Sequence, residues 1–326
     1  MQPPADSTSI DRSLRLFGLG VVCVLIGIGA IGLAVIVAVP MFQGDGAATV
    51  GSGQAAGMGA SLYAGVGIGL IVLGIGSIRL RRWVPPVMRT VAWTWLLTGI
   101  VALVLTAMLL DDLLAIASSQ IEQDIEQAAD LARKFVLLIV AAFGVVVPGI
   151  LAWGYHGADV RATVRRHDTR PSWTDRCPER ILPLAIGWFL LAVVSIPTLG
   201  RPAVPWFGRY LATNAGRGVT LAGIVVAVAL AVLCYRQKPL GWWGSQLTLL
   251  LAGVSTLWTI VARPVSEMYK ALGYPESVIP ILSGSHATTQ GLAVATVALT
   301  VAGVGYLWWI RKAFRPHSDV SPVLHQ

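Results

Sequence analysis

The segment RRHDTRPSWTDRCPER, residues 165–180, places a histidine, a cysteine and three acids among five arginines. Its groups with metal-binding or acid–base chemistry are His167, Asp168, Asp175, Cys177 and Glu179. The segment lacks the CxxC and HxxxH spacings that are typical of zinc sites, and arginines crowd the potential ligands. The sequence therefore favours a salt-bridged connector on the wet side of a membrane, with a metal or catalytic cluster as the alternative.

Two other motifs bring reactive groups together. Asp111-Asp112 is a pair of carboxylates of the kind that holds a divalent cation in diphosphate chemistry, but no second acidic cluster accompanies it. The run Ser283-Gly284-Ser285-His286 sets serines beside a base, but adjacent residues seldom present both groups correctly, and no partner acid is evident. We predict no catalytic residue, no bound metal and no cofactor. A membrane enzyme that uses Asp111 and Asp112 is the least favoured alternative.

The composition indicates which elements position these groups. Of the 326 residues, 55% are hydrophobic and only 12% are charged. A helix needs about 20 apolar residues to cross a bilayer, and the chain has runs of this kind throughout. We predict an all-α polytopic integral membrane protein with about eight transmembrane helices. The predicted spans are Leu16–Val39, Leu62–Ile78, Met88–Leu110, Phe135–Trp153, Ile181–Leu199, Val219–Tyr235, Trp243–Ala262 and Gly291–Ile310.

The distribution of basic residues predicts the orientation of the chain. If the N-terminus is cytoplasmic, all but seven of the 24 Lys and Arg residues fall on the cytoplasmic side. Short loops rich in Lys and Arg stay in the cytoplasm, so we predict that both termini are cytoplasmic. The net charge of +8 then follows from topology and anionic lipid, and nucleic acid is not an expected partner. The seven exceptions are Arg133, Lys134, Arg201, Arg209, Arg217, Arg263 and Lys270.

The eight spans divide into two groups of four. Short echoes, such as AVPMF at 38–42 and AVPWF at 203–207, indicate a tandem 4+4 helix repeat, although shared topology alone also produces echoes. The predicted segments are a cytoplasmic N-terminal tail 1–15, a first four-helix half 16–154, a cytoplasmic connector 155–180, a second four-helix half 181–311 and a cytoplasmic C-terminal tail 312–326.

An external amphipathic helix is predicted near residues 119–134. Its start is marked by a capping box in which a serine precedes a glutamate by three residues. Ile121, Ile125 and Ala128 follow at helical spacing among acids, and we expect the helix to continue unbroken into span four. Its apolar stripe would pack either on the loop 263–289 or on another protein, which makes these three residues a candidate partner surface.

The first loop and the small residues beside it predict how the first two spans meet. Residues 40–60 are rich in Gly and Ala and are expected to form a flexible crossover. Small residues recur at every fourth position in the flanking spans, which is typical of close helix packing. They are Ala30, Ala34 and Ala38 in span one and Gly65 and Gly69 in span two. Gly74 and Gly76 follow further along span two, and this packing is expected either within the chain or between copies.

Aromatic residues fall mainly at the predicted span ends, where Trp and Tyr usually anchor helices at the level of the lipid headgroups. Tyr155 and Trp242 belong to this group. We therefore predict an interfacial position for both and assign neither to a ligand.

Span seven carries more Ser, Thr and Gln than any other span. Within a membrane such groups bond to their own helix or to neighbouring helices. Packing at the centre of the bundle is the favoured interpretation, and a polar wall along a solute path is the alternative. Ser245 lies in this span, and the candidate path residues are Gln246, Thr248, Ser255, Thr256 and Thr259.

Every Asp, Glu, Lys and Arg lies in a predicted loop, tail or helix end, which disfavours proton relays and intramembrane acid–base catalysis. We therefore predict a non-enzymatic membrane subunit or scaffold, whose partners are the lipid bilayer and a membrane protein or a second copy. The alternative is a transporter or channel for a neutral or amphipathic small solute. Arg far outnumbers Lys, and Ala, Gly and Val are abundant, which is typical of a high-GC prokaryotic genome and predicts a bacterial cytoplasmic membrane.

Overall fold

The computed structural model describes residues 11–42, 50–118, 126–200, 202–272, 274, 276, 279 and 286–314. Within these residues, eight helical stretches are long and apolar enough to cross a membrane, as expected of a multi-pass membrane protein. They agree in number and order with the eight spans predicted from hydropathy. The stretches are Ser13–Val39, Gly59–Ile78, Val84–Met108, Asp130–Gly154, Leu182–Leu199, Thr213–Tyr235, Pro239–Ala262 and Thr289–Phe314.

Helices account for most of the described chain, and one short β-hairpin departs from the predicted all-α class. The helices are α1 (Ser13–Phe42), α2 (Val50–Ile78), α3 (Val84–Ser118), α4 (Glu126–Ala141), α5 (Val147–Gly154), α6 (Ala158–His167), α7 (Leu182–Ser195), α8 (Thr213–Tyr235), α9 (Pro239–Ala262), α10 (Val265–Ala271) and α11 (His286–Ile310). The strands β1 (Val204–Pro205) and β2 (Tyr210–Leu211) pair antiparallel. A π-turn (Ala142–Val146) joins α4 to α5, and 3-10 turns cover Trp173–Arg176, Pro197–Leu199 and Arg311–Phe314.

The first loop is shorter than the composition predicts. Helix α1 runs on to Phe42 and α2 begins at Val50, so the prediction of a flexible crossover over residues 40–60 is wrong for most of its length. Alanine favours helix, and the cost of glycine in a helix is only about 1 kcal/mol per residue. Packing of the first two helices against each other offsets such a cost.

Helices α1 and α2 form an antiparallel pair with very close backbones. A Cβ at Gly20 would lie 2.8 Å from the carbonyl oxygen of Gly74, and a Cβ at Gly67 would lie 2.7 Å from that of Gly27. Since no real side chain tolerates such distances, the glycines are what permits this approach. Lipid removes the hydrophobic drive between helices, so the pair is held by the van der Waals contact that this closeness allows.

The glycines singled out by four-residue spacing are not those that make this contact. Gly65 and Gly69 have no neighbouring atom within 4 Å of a built Cβ. The spacing of seven residues between Gly20 and Gly27, and between Gly67 and Gly74, fits an antiparallel pair that meets on one seam. The prediction of close packing within this chain is therefore wrong for Gly65 and Gly69. It is confirmed for Gly74, which meets Gly20, and for Gly76, where a built Cβ would lie 2.6 Å from Val84. Ala34 is buried.

The fourth span crosses the third at the point where the helix of the fourth span is widened. Pro148 has no N–H to give to the carbonyl of Gly144, four residues earlier, and the π-turn Ala142–Val146 lies at this point. A Cβ at Gly99 of α3 would lie 1.8 Å from the oxygen of Gly144. The carbonyl that proline leaves without its helical donor therefore points at the bare backbone of α3.

Two tight turns join neighbouring spans with the same geometry. After α2, Leu80 has a φ of 51° and the N–H of Arg81 donates to the carbonyl of Gly76 at 2.9 Å. After α8, Gln237 has a φ of 56° and Lys238 donates to Leu233 at the same distance. Both are Schellman-type helix ends, formed here without glycine at the left-handed position.

The buried side chains form two cores, and both lie at the end of the bundle where the connector 155–180 is found. The first core includes Leu16, Val84, Met88, Leu151, Tyr155 and Val160. The second includes Ile181, Trp188, Cys234, Trp242, Leu307 and Ile310. Val87 packs against both cores and joins them.

Two aromatic residues predicted at the lipid interface belong instead to these cores. Tyr155 is 2% exposed and its hydroxyl donates to Ser77 Oγ at 2.7 Å. Trp242 is 5% exposed and its Nε1 donates to the carbonyl of Leu307 at 2.7 Å. Each polar tip finds a partner inside the protein, so the ring does not need the headgroup region.

Candidate functional site

The polar residues of span seven all lie on α9, and their burial divides them into two groups. Ser245, Ser255 and Thr259 are buried, with at most 5% of each side chain exposed. Gln246, Thr248 and Thr256 are half-buried. At about 100° per residue, all except Gln246 fall within roughly 100° of arc around the helix.

Ser245 links α9 to α7. Its Oγ accepts a hydrogen bond from Trp188 Nε1 at 2.8 Å and donates to the carbonyl of Gly241 at 2.7 Å. Trp188 is 6% exposed, in the second core. Its role was not predicted, because an apolar run gives no sign of which tryptophan turns inward.

Ser255 and Thr259 hold the β-hairpin. Phe207 and Gly208, with φ of 39° and 87°, form a two-residue turn of the type that joins twisted strands. The N–H of Phe207 donates to Ser255 Oγ at 3.0 Å, and the N–H of Gly208 donates to Thr259 Oγ1 at 3.1 Å. Ser255 also donates to the carbonyl of Pro205 at 3.0 Å. Two hydroxyls one helical turn apart thus satisfy backbone groups that lie at the tip of a turn.

Several other predicted residues fall where the structure says little of their side chains. Ile121 and Ile125 of the candidate partner surface, with the capping box, lie outside the described residues, as does 283–285. Ala128 lies on α4, and Asp111 and Asp112 lie on α3, but their side chains are not described.

The salt-bridged connector predicted from its mixed charges is present. Its acids are paired with arginines that come from three parts of the chain: the start of α1, the α2–α3 turn with the start of α3, and α6. The pairs are Arg12–Asp159 at 3.6 Å, Arg81–Asp168 at 3.9 Å, Arg82–Asp175 at 3.2 Å, Arg89–Glu179 at 3.6 Å and Arg161–Glu179. Capping by Ser172 and Asp175 fixes the 3-10 turn in its middle.

Hydrogen bonds extend this network to the second half of the chain. Tyr235, at the end of α8, donates to the carbonyl of Trp173 at 2.8 Å. Tyr306, near the end of α11, donates to the carbonyl of Arg180 at 2.7 Å. The connector therefore ties together span ends that lie far apart in sequence.

A basic cavity of about 310 Å³ opens between the connector and the start of α3. We call it the connector cavity. Four arginines and two acids line it together with Tyr155, Cys177 and several prolines. The charged lining residues are Arg82, Arg89, Arg161, Arg165, Asp175 and Glu179.

The positive and negative charges that line the connector cavity do not balance. Glu179 faces both Arg89 and Arg161. Burial opposes its ionisation, but these two guanidiniums outweigh that effect and lower the pKa of the carboxyl below its usual value. Arg165 has no acidic partner among the described residues. Arg82 Nε lies 3.2 Å from Asp175 yet is buried without a hydrogen bond.

The thiol that lines the cavity is neutral, and His167 lies outside the lining. Burial raises the pKa of the Cys177 thiol to about 11, so it stays neutral and is a poor nucleophile. His167 Nδ1 lies 3.0 Å from the carbonyl of Thr163. Among the described residues, no group of three or more His, Cys, Asp or Glu side chains is arranged to hold a metal ion. The acids of the connector meet arginines rather than one another.

No protein family model matches the chain, and no curated protein and no solved structure matches it. The connector cavity was not predicted, because its arginines were interpreted as topological anchors. The clustering of five arginines with three acids in residues 165–180 was the available signal.

Proposed function

We propose that this chain is a non-enzymatic membrane subunit or scaffold, and one observation carries the proposal. Each buried serine and threonine of the described residues makes a hydrogen bond within the chain. A solute path needs polar groups that are free to exchange partners, whereas five of these groups hold helices or the hairpin in place, and Thr90 and Thr174 are bonded locally. The residues are Ser77, Thr90, Thr163, Thr174, Ser245, Ser255 and Thr259.

The position of the charged residues supports the same proposal. Those within the eight candidate spans lie within about two turns of a span end. Ion-coupled transport and intramembrane acid–base catalysis usually need an ionisable group nearer the bilayer centre. Hydroxyl and indole groups that bond within the chain give a rigid body on which a partner can assemble.

For the partner we propose another membrane protein, bound at the stripe Ile121, Ile125 and Ala128. Ala132, one turn after Ala128 on the same face of the helix, is exposed, and Phe135 one turn later is 61% exposed. These two positions supply the support, because an intrachain cover for the stripe would be expected to reach Ala132. The partner would pack along the stripe where the helix of span four continues outward.

We further infer the orientation and origin of the fold. The excess of Lys and Arg at the connector end supports cytoplasmic termini, and the residue usage supports a bacterial cytoplasmic membrane. The matching turns at Leu80 and Gln237 support a tandem 4+4 repeat. Pairing of the first span with the second, and of the third with the fourth, in each half supports it too.

Co-purification of the full chain from its source membranes in a mild neutral detergent tests the proposal. The double variant Ile121→Glu with Ile125→Glu is expected to reduce the amount of co-purified partner at least tenfold while the chain still inserts. The matched control, Gln123→Glu with Gln127→Glu, adds the same two charges on the opposite face of the predicted helix. Equal partner recovery with both double variants would rule out this surface.

A further inference from the structure

The connector cavity carries an inference that goes beyond the scaffold function. Its lining has four guanidiniums against two carboxylates, which leaves an excess of positive charge. Asp175 is paired with Arg82, and the single carboxylate of Glu179 is shared by Arg89 and Arg161. Arg165 lines the same cavity without an acidic partner among the described residues. The connector's own acids therefore do not neutralise the arginines around this space.

One hydrogen-bond donor in the lining of the connector cavity also makes no hydrogen bond. Arg82 Nε is a buried donor that makes no hydrogen bond, although its guanidinium lies beside Asp175. An unsatisfied buried donor is costly, and a charged one more so. An incoming anion with several acceptor oxygens would offer this donor a hydrogen bond and would give Arg165 the acidic partner that it lacks among the described residues.

We propose that the connector cavity binds a phosphate group. A guanidinium donates two parallel N–H groups that match the spacing of phosphate oxygens. A volume of about 310 Å³ lies at the lower end of the range of small-ligand pockets and accommodates a phosphate with its substituent. Basic pockets between transmembrane helices on the cytoplasmic side are places where lipid headgroups bind.

Two sources can supply this phosphate: the headgroup of an anionic phospholipid and a free phosphate compound. The cavity lies between α6 and the first turns of α3, where a membrane helix meets the connector. Both sources present the same anion to Arg165, so the experiment separates them.

The test measures the melting temperature of the full chain in a neutral detergent through tryptophan fluorescence. Inorganic phosphate is titrated against chloride at constant ionic strength. In a second series, short-chain phosphatidylglycerol is titrated against phosphatidylcholine. We expect a saturable rise in melting temperature with phosphate that chloride does not produce. Arg165→Gln should weaken the apparent affinity about tenfold, the effect of one charge-assisted hydrogen bond.

Arg170→Gln is the matched control. It removes the same charge from the same connector, and Arg170 is exposed as Arg165 is, but it does not line the cavity. Phosphatidylglycerol acting at lower concentration than phosphatidylcholine, with the difference lost in Arg165→Gln, assigns the site to a lipid headgroup. Equal effects of both lipids with a phosphate response assign it to a free phosphate compound. The proposal is overturned if Arg165→Gln and Arg170→Gln respond alike, or if neither ligand raises the melting temperature.

Discussion

A hydroxyl group in a membrane-spanning helix contributes most when it satisfies a backbone group that has no helical partner. Ser255 and Thr259 do this for the turn at Phe207 and Gly208. The turn projects two consecutive N–H groups, and α9 meets them with two hydroxyls spaced one turn apart. At the scale of single residues, the polar face of span seven is therefore explained by the backbone groups that its hydroxyls satisfy.

Thr259→Val removes an acceptor while keeping the shape of the side chain. We expect it to lower the free energy of unfolding by about 1–3 kcal/mol, because the N–H of Gly208 loses its partner in a partly buried place. Thermal unfolding in detergent checks this. Thr256→Val, on the same helix and half-buried, is the control and should change stability little. If span seven lined a solute path, Thr256→Val and Gln246→Leu would instead reduce the flux of solute.

Glu179 makes the stability of the fold depend on pH. Burial disfavours its charge, but Arg161 and Arg89 hold the pKa of the folded carboxyl below its usual 4.5. Since the pKa is lower in the folded chain, the ion pairs stabilise the fold above about pH 4.5, and this stability is lost as the pH falls through the lowered value. Melting temperatures measured from pH 7 to pH 3 should therefore fall more steeply for wild type than for Glu179→Gln. Parallel profiles would contradict this assignment.

At the scale of elements, close backbone contact decides which helices pair. Gly99 and Gly144 meet where Pro148 has widened the fourth span. Gly20 and Gly27 meet Gly74 and Gly67 along a single seam. These contacts replace the hydrophobic drive that lipid removes.

Gly99→Ala tests the crossing of the third and fourth spans. Its Cβ would lie 1.8 Å from a backbone oxygen, so a helix must shift. We expect the free energy of unfolding to fall by about 1–3 kcal/mol or more. Gly149→Ala is the control on α5, where nothing lies within 4 Å of a built Cβ. Thermal unfolding and the yield of folded protein report the difference. Equal stability of the two variants would mean that the crossing does not depend on this contact.

The eight spans were predictable from sequence because bilayer thickness fixes the length of an apolar helix. Their contacts were only partly predictable. Gly74 is expected to pack closely and does, but Gly65 and Gly69 have the expected spacing and Gly67 makes the contact instead. Spacing marks helices that are able to approach closely, but only the register of the pair selects the residues. Tyr155 and Trp242 were misplaced for a related reason: an aromatic ring with a polar tip suits a headgroup layer and a bonded core equally well.

The site was only partly predictable. The charge pattern of residues 165–180 predicted salt bridges, and the structure shows them. The connector cavity depends on Arg82 and Arg89, which come from the α2–α3 turn and the start of α3 and lie far away in sequence. No local pattern brings those residues to the connector. The hairpin was missed because its two-residue strands are too short to leave an alternating pattern.

At the scale of the whole molecule, packing is concentrated at one end. Both cores, the ion pairs of the connector and the connector cavity lie there, and the connector joins the ends of spans from both halves. The spans themselves expose long apolar surfaces, as expected where lipid surrounds them. Such an architecture fixes the relative positions of helices at one face of the membrane.

The orientation of that face is testable with two exposed arginines. Arg170 lies in the connector and Arg209 lies next to the hairpin turn. With the membrane-impermeant reagent maleimide-biotin sulfonate, Arg209→Cys should be labelled in intact cells and Arg170→Cys only after permeabilisation. The three native cysteines are buried and free, which keeps the background low. The opposite labelling pattern would invert the topology.

The proposal that this chain is a membrane subunit is tested most directly by the mass of the particle that it forms. Native mass spectrometry of the wild-type protein, released from source membranes in a mild neutral detergent, counts the polypeptides bound to the 34.5 kDa chain. We predict a complex with a second membrane protein in a fixed ratio. A chain that appears only as a monomer or homodimer would contradict the subunit function and favour solute transport.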